Sequence, residues 1–212
     1  MHIPDAFIPI GQALVYWVIA LIFVALALRW ARRSMGEEKV PLVAVLAAGI
    51  FAIQALNVPI PGGTSGHMVG AALAAIVPGS PYAGVFILIL VLLVQGVIFG
   101  DGGITVMGAI IINMGVIGGF IGDYGYTAVR RLISNAYAAA FIAGWASPFI
   151  SAILCAVELA IVGTFPLTVW LTMMGAYHAI IGLIEGGITA VALYLIASAR
   201  PDILEHPLGV GA

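Results

Sequence analysis

Seven apolar runs, parted by glycine, proline or short polar breaks, take up almost the whole of this chain, and no soluble fold can bury so many. The 212 residues are 63% hydrophobic and 8% charged, whereas a soluble domain carries about a quarter charged residues. The longest polar stretch, residues 29–39, leaves no room for a separate soluble domain. The chain therefore reads as an all-α, polytopic membrane protein, a single membrane domain over residues 1–212. Its net charge of −2 argues against nucleic acid as a partner. Cys155, the only cysteine, excludes an intrachain disulfide and reads as a small packing residue.

The runs predict seven transmembrane helices at 10–30, 41–57, 66–77, 82–99, 107–129, 136–163 and 167–199. The third is too short for a full span and reads as a short or partly buried helix, because irregular backbone at membrane depth needs protein shelter. With seven spans, all seven basic residues fall on one face. Arg29, Arg32, Arg33 and Lys39 lie in the first connection, Arg130 and Arg131 in the fifth, and Arg200 after the last helix. The positive-inside rule makes that face cytoplasmic, so the N-terminus is expected outside and the C-terminus, with a tail at 200–212, inside. The expected location is the plasma (inner) membrane. Ala25-Leu26-Ala27 resembles a signal-peptide cleavage site. Residues 1–9, however, carry no basic segment and include Asp5, and arginines follow the first run directly, so an uncleaved helix is expected.

This topology gathers residues 1–9, 58–66 and 100–106 outside. Met1-His2 is a chelator in its own right: the terminal amine, the His2 amide nitrogen and the His2 ring close two small rings on one ion. His67, expected at the start of the third helix, lies at the same depth and can add a fourth nitrogen. Four nitrogens in a plane favour Ni(II) or Cu(II), with Co(II) admissible, over tetrahedral Zn(II). The bland alternative stays open: His67 caps a helix and His2 sits at the interface.

Met1-His2-Ile3-Pro4-Asp5, the run Pro59-Ile60-Pro61-Gly62-Gly63-Thr64-Ser65-Gly66-His67 and the run Phe99-Gly100-Asp101-Gly102-Gly103-Ile104-Thr105 resemble the substrate-binding membrane subunit (S component) of energy-coupling-factor cobalt/nickel transporters, the CbiM/NikM family. The resemblance covers almost the whole chain. It implies that Met1, His2 and His67 bind Ni2+ or Co2+ as cargo, that an outer loop closes over the ion, and that no organic cofactor is used. It implies as partners a transmembrane coupling subunit, ATP-binding cassette ATPase subunits and a small accessory membrane subunit. It makes residues 10–30 an extra helix ahead of a six-helix core at 41–199. The family pattern carries Asn where this chain has Ile110, so any support from that position is missing or comes from Asn113.

Depth nominates Gln54, Asn57, Gln95 and Asp101 to hold the histidine rings, since a metal-bound histidine donates its second ring nitrogen to a carboxylate or amide. Interhelical hydrogen bonds are the alternative for Gln54 and Gln95. Thr64 and Ser65 are expected to hold the closing loop or cap the third helix. Glu158, His178 and Glu185 are ionisable residues inside the membrane, read as structural hydrogen-bonders or as part of the inward route. Ala44, Ala48 and Ala52 on the second helix, and Gly115, Gly118, Gly119 and Gly122 on the fifth, are small-residue stripes that admit another helix. The alanines are assigned to the coupling subunit, with packing inside the chain as the bland reading. The chain has no Walker-type phosphate loop, so any ATPase motor is another polypeptide. It is read as a transporter subunit and not an enzyme. The rival is an intramembrane serine hydrolase with Ser65 as nucleophile and His178 as base, disfavoured because His178 is expected deeper than Ser65. A channel is disfavoured by the apolar inner halves of the helices.

Overall fold

The structure is a computed structural model describing residues 1–62 and 64–204. Gly63, and residues 205–212 of the expected tail, lie outside the described residues. Among the described residues, apart from two single-turn helices at Glu37–Lys39 and Pro201–Ile203, the helices are α1 (Ile10–Ser34) and α2 (Val40–Gln54), α3 (Ala71–Ile76), and α4 (Pro81–Phe99), α5 (Met107–Leu132), α6 (Ala136–Val162) and α7 (Leu167–Ala199). Five of them, α1 and α4 to α7, are long and apolar enough to cross a membrane. At about 1.5 Å per residue, α2 and α3 are shorter than a bilayer core of about 30 Å.

The expected helix at 66–77 is corrected. Its first residues form a strand, β2 (Thr64–His67), paired antiparallel with β1 (Asn57–Ile60). Ile60 faces Thr64 and Asn57 faces His67 across the hairpin. The fold is mostly helical, as expected, and among the described residues it also holds a two-stranded hairpin. Strand pairing satisfies the backbone groups of this Pro/Gly-rich segment where water is scarce. His67 does not start a helix; α3 begins four residues later. There the Glu185 carboxylate on α7 accepts from the Val69 and Gly70 amides at 2.6 and 2.8 Å.

Small residues set the packing, because close backbone approach replaces the hydrophobic drive within lipid. The buried alanines of α3 lie against α5, where a Cβ on Gly118 would come within 2.8 Å of Ala71 Cβ. Gly119 faces Pro81 and Val85 of α4, and Gly122 faces Ala72. Those glycines of α5 therefore serve packing inside the chain. α6 starts on an Asn135 cap, whose side chain accepts from the Tyr137 and Ala138 amides at 3.0 Å. It packs along α7 where Gly144, Gly182 and Gly186 let the helices touch.

The helix ends sort the polar residues. Trp30, Lys39, Pro78 and Arg200 line one cavity of about 230 Å³, and α5 ends on Arg130 and Arg131. Residues 1–9, the hairpin and the 100–106 loop form the other end.

Candidate metal centre

The N-terminal segment is tucked under two loops. Met1 is fully buried and His2 is 5% exposed. The Met1 nitrogen donates to the Ser65 carbonyl and lies 3.4 Å from Ser65 Oγ. The His2 amide donates to Ser65 Oγ at 3.3 Å, and Thr64 Oγ1 donates to the His2 carbonyl at 3.1 Å. β2 thus grips residues 1 and 2 from one side. From the other, Gly103 N–H donates to the Ile3 carbonyl at 2.8 Å. Gly102, at φ +95°, has no space for a side chain: a Cβ would come within 3.1 Å of the His2 ring and 3.0 Å of Ile110.

The 100–106 loop is latched by Asp5, whose Oδ1 accepts from the Thr105 amide at 2.8 Å and hydroxyl at 2.6 Å. Trp17 of α1 donates to the Thr105 carbonyl at 2.9 Å. The Thr105 hydroxyl and amide hold the Asp5 carboxyl below its usual range. A carboxylate depressed in the folded state stabilises it above the unfolded pKa, and that contribution is lost as pH falls through the folded value. The latch is therefore intact at neutral and mildly acid pH. Replacing Asp5 with Ala is expected to raise the release rate of bound Ni(II) about tenfold, the cost of exposed charge-assisted bonds. Stopped-flow transfer of the ion to a chelator reads this; an unchanged rate means the loop is not the lid.

Two imidazoles stack in the pocket, with centroids 4.6 Å apart and planes 22° from parallel. His67 is 1% exposed. Its Nδ1–H donates to the Met68 carbonyl at 2.8 Å. That bond fixes the tautomer and leaves a lone pair on Nε2, which has no hydrogen-bond partner among the described residues. His2 Nε2–H donates to Gln95 Oε1 at 3.2 Å. His2 Nδ1 then presents its lone pair toward Asp101 Oδ1 at 3.4 Å, in ion-pair range but without hydrogen-bond geometry.

Burial keeps the amine and both imidazoles uncharged at neutral pH. Burial brings the Met1 amine down to about 5. Burial, and then the neighbouring amine charge, bring His2 down to about 3. His67 is held well below its usual value by burial, the amine and His2. At neutral pH His2 is therefore uncharged, and its contact with Asp101 sets a lone pair against a carboxylate. A cation relieves that repulsion. Among the described residues no group of three or more His, Cys, Asp or Glu side chains is placed to hold an ion. Any four-nitrogen set here must draw on the main chain and the terminus.

The other nominated residues divide. Ser65, Thr64, Gln95 and Asp101 touch residues 1 and 2. Ser65, Thr64 and Asp101, with His2, Asp5 and Asn57, also line a cavity of about 420 Å³ at this end. Gln54 does not meet His67: its Nε2 donates to the Val69 carbonyl at 2.6 Å. Asn113 does not replace an Asn at 110. It donates to Glu158 Oε2 at 2.6 Å, while Ile110 is an apolar wall beside Gly102. Thr64 and Ser65 bind the N-terminal segment rather than capping a helix. Ala44, Ala48 and Ala52 form an exposed row on α2, opposite buried Val43, Leu46 and Ile50. Sequence reasoning missed the Met68 carbonyl, the Gly103–Ile3 bond and the Asp5–Thr105 latch. Only the latch had a signal, an acidic side chain and a hydroxyl in two segments expected at one depth.

The hydrolase arrangement is not built. Ser65 Oγ is engaged by the Met1 and His2 nitrogens, and the hydrogen bond of His178 runs from Nδ1 to the Met174 carbonyl at 2.9 Å. The depth argument against it is corrected all the same. β2 reaches the middle of α7, where a Cβ on Gly66 would come within 3.0 Å of Ile181.

A membrane protein with a nitrogen-rich pocket closed by its own N-terminal segment defines an ion-handling class, and the comparisons place it. The family described as CbiM, "Cobalt uptake substrate-specific transmembrane region", matches residues 2–203. The chain belongs to this family of cobalt/nickel transport membrane proteins. It is 43% identical to a putative fused nickel transport protein NikMN of Archaeoglobus fulgidus, over 100% of this chain and 70% of that one. It is 34% identical to a cobalt transport protein CbiM of Sorangium cellulosum, over 97% and 95% respectively. A crystal structure of a truncated transition metal transporter superposes with a TM-score of 0.89 at 30% identity, over 93% of this chain and 99% of that one.

Proposed function

We propose that this chain captures Ni2+ or Co2+ at the outer face of the plasma membrane and passes it inward as the substrate-binding subunit of an ATP-driven uptake system. The ligands are the Met1 amine, the His2 amide and Nδ1, and His67 Nε2, in a square plane. Ser65, Thr64, Gln95 and Asp101 orient them. The observation that carries this reading is the lone pair on His67 Nε2, buried and without a hydrogen-bond partner among the described residues beside the His2 ring. A buried polar atom left unpaired costs about 1–3 kcal/mol, which an ion recovers.

The N-terminus lies outside and the basic helix ends face the cytoplasm. The motor is supplied by partner ATPases acting through a membrane coupling subunit, with a small accessory membrane subunit beside it. The exposed row Ala44, Ala48 and Ala52 is the surface offered to the coupling subunit.

Calorimetry of the full chain in detergent tests the site. His67→Gln is expected to weaken Ni(II) binding about 100-fold, more than a typical loss of a supporting partner; native affinity in that variant would falsify the ligand set. Titrating Ni(II) and Co(II) in parallel ranks the two cargoes.

Proton release gives an independent check. At pH 7 the amine, at about 5, and His2, at about 3, are uncharged, and His67, held well below its usual value, is too. Binding is expected to release about one proton, from the His2 amide. A free Met-His peptide, with an amine near its ordinary value of about 8, releases nearly two. Affinity then falls about tenfold per pH unit from 8 toward 5, and more steeply below, where the amine also takes up a proton. Titrations in buffers of different ionisation enthalpy count the protons. A release near two in the protein shows that the amine is not buried as described.

A further inference from the structure

His178 is buried at 0% exposure in the middle of α7. Its Nδ1–H donates to the Met174 carbonyl one turn earlier, at 2.9 Å. The proton is thereby assigned to Nδ1, and Nε2 keeps a lone pair with no hydrogen-bond partner among the described residues. His67 has the same construction, a backbone carbonyl on Nδ1 and an unpartnered, buried Nε2. Such atoms are uncommon inside proteins, and each asks for a ligand.

The chain lays the two imidazoles on the same stretch of α7. β2 packs on that helix, with Gly66 against Ile181. Three residues on, Val69 and Gly70 are tied to Glu185. His178, Ile181 and Glu185 share one helix face, and the segment bearing His67 runs along that face from Ile181 to Glu185. His178 is also close enough for its charge to weigh on His67.

We propose that His178 Nε2, together with His67 Nε2, forms a second position for a divalent transition-metal ion, beside the one at residues 1 and 2 and reached from it without leaving His67. Imidazole nitrogen is the donor type that Ni(II) and Co(II) share. His67 is the pivot: the ion exchanges the nitrogens of residues 1 and 2 for His178. The second position rests on the reading of His67 as a ligand under "Proposed function", and it adds a donor that the outer set does not use.

The test removes the outer set first. A Gly-Ser-Gly-Ser extension before Met1 takes away the terminal amine. The extended full chain in detergent is titrated with Ni(II), alone and with H178Q or H178C. The extended chain is expected to keep weak binding of a single ion. H178Q should lower that residual affinity about tenfold or more, as loss of a direct ligand demands. H178C should restore it and add a thiolate-to-nickel charge-transfer band, which a merely structural His178 cannot produce. Residual binding indifferent to H178Q, no residual binding at all, or H178C without the band each overturns the second position. If H178Q does not fold, the H178C spectrum decides alone. Extended chain binding as tightly as native is a different failure: it sinks the outer amine ligand and leaves the H178Q comparison to be read separately.

Discussion

A short Gly-Ser extension ahead of Met1 is expected to weaken Ni(II) binding by about a thousandfold, roughly 4 kcal/mol. Two losses combine. The amine disappears from the proposed chelate, whose rings depend on it, and the residues ahead of it have no place to go. Met1 is fully buried and its nitrogen is bonded to Ser65. An added residue must push into the hairpin or pull residues 1 and 2 out, and the second course strips the pocket of His2 as well. Calorimetry against the unextended chain measures the effect. A change smaller than about fivefold, about 1 kcal/mol, rules out the amine as ligand. Acetylating the amine without lengthening the chain separates the two contributions.

The second large effect lies away from the ion. Gly108 opens α5, and a Cβ there would stand 2.6 Å from Trp17 N and 2.7 Å from Trp17 Cα. Those are backbone atoms of α1, and no rotamer change moves them. Gly108→Val is expected to lever α1 away, break the Trp17–Thr105 hydrogen bond and cost about 3 kcal/mol, the upper range for overpacking. Thermal unfolding in detergent should show the loss. Ni(II) affinity should fall with it, because Thr105 also holds Asp5. Wild-type stability in this variant would mean that α1 is a loosely attached helix.

The helical frame was legible because its signals are long. Five apolar runs exceed any soluble helix pattern, and the basic residues punctuate their ends. The hairpin was not legible. Asn57-Val58-Pro59-Ile60 and Thr64-Ser65-Gly66-His67 lack the alternation of a half-buried strand, and their enclosure is supplied by other helices. The Pro-Gly-Gly sequence at 61–63, a turn signal, was the one available hint. Its neglect placed His67 on a helix and set Ser65 above His178. Residues 1 and 2 were noticed because donor chemistry is local to a dipeptide. The contacts that hold them are mostly backbone, through Ser65, Met68, Gly103 and Ile3, and main-chain atoms leave no mark in a sequence. Gln54 and Asn113 show the converse. Polar residues at the right depth met Val69 and Glu158 instead of a histidine, because depth gives no azimuth around a helix.

The Asp5–Thr105 latch has a kinetic meaning. With residues 100–105 acting as the lid of the proposed site, an ion would enter only when they lift, association would run well below the diffusion limit, and tight binding would be expressed as a long residence time. Capture and delivery are thereby separated in time. Under the proposed function, such a residence time would let a loaded chain outlast the interval before it meets its motor, so the pace of uptake would follow that encounter rather than the concentration of the ion outside.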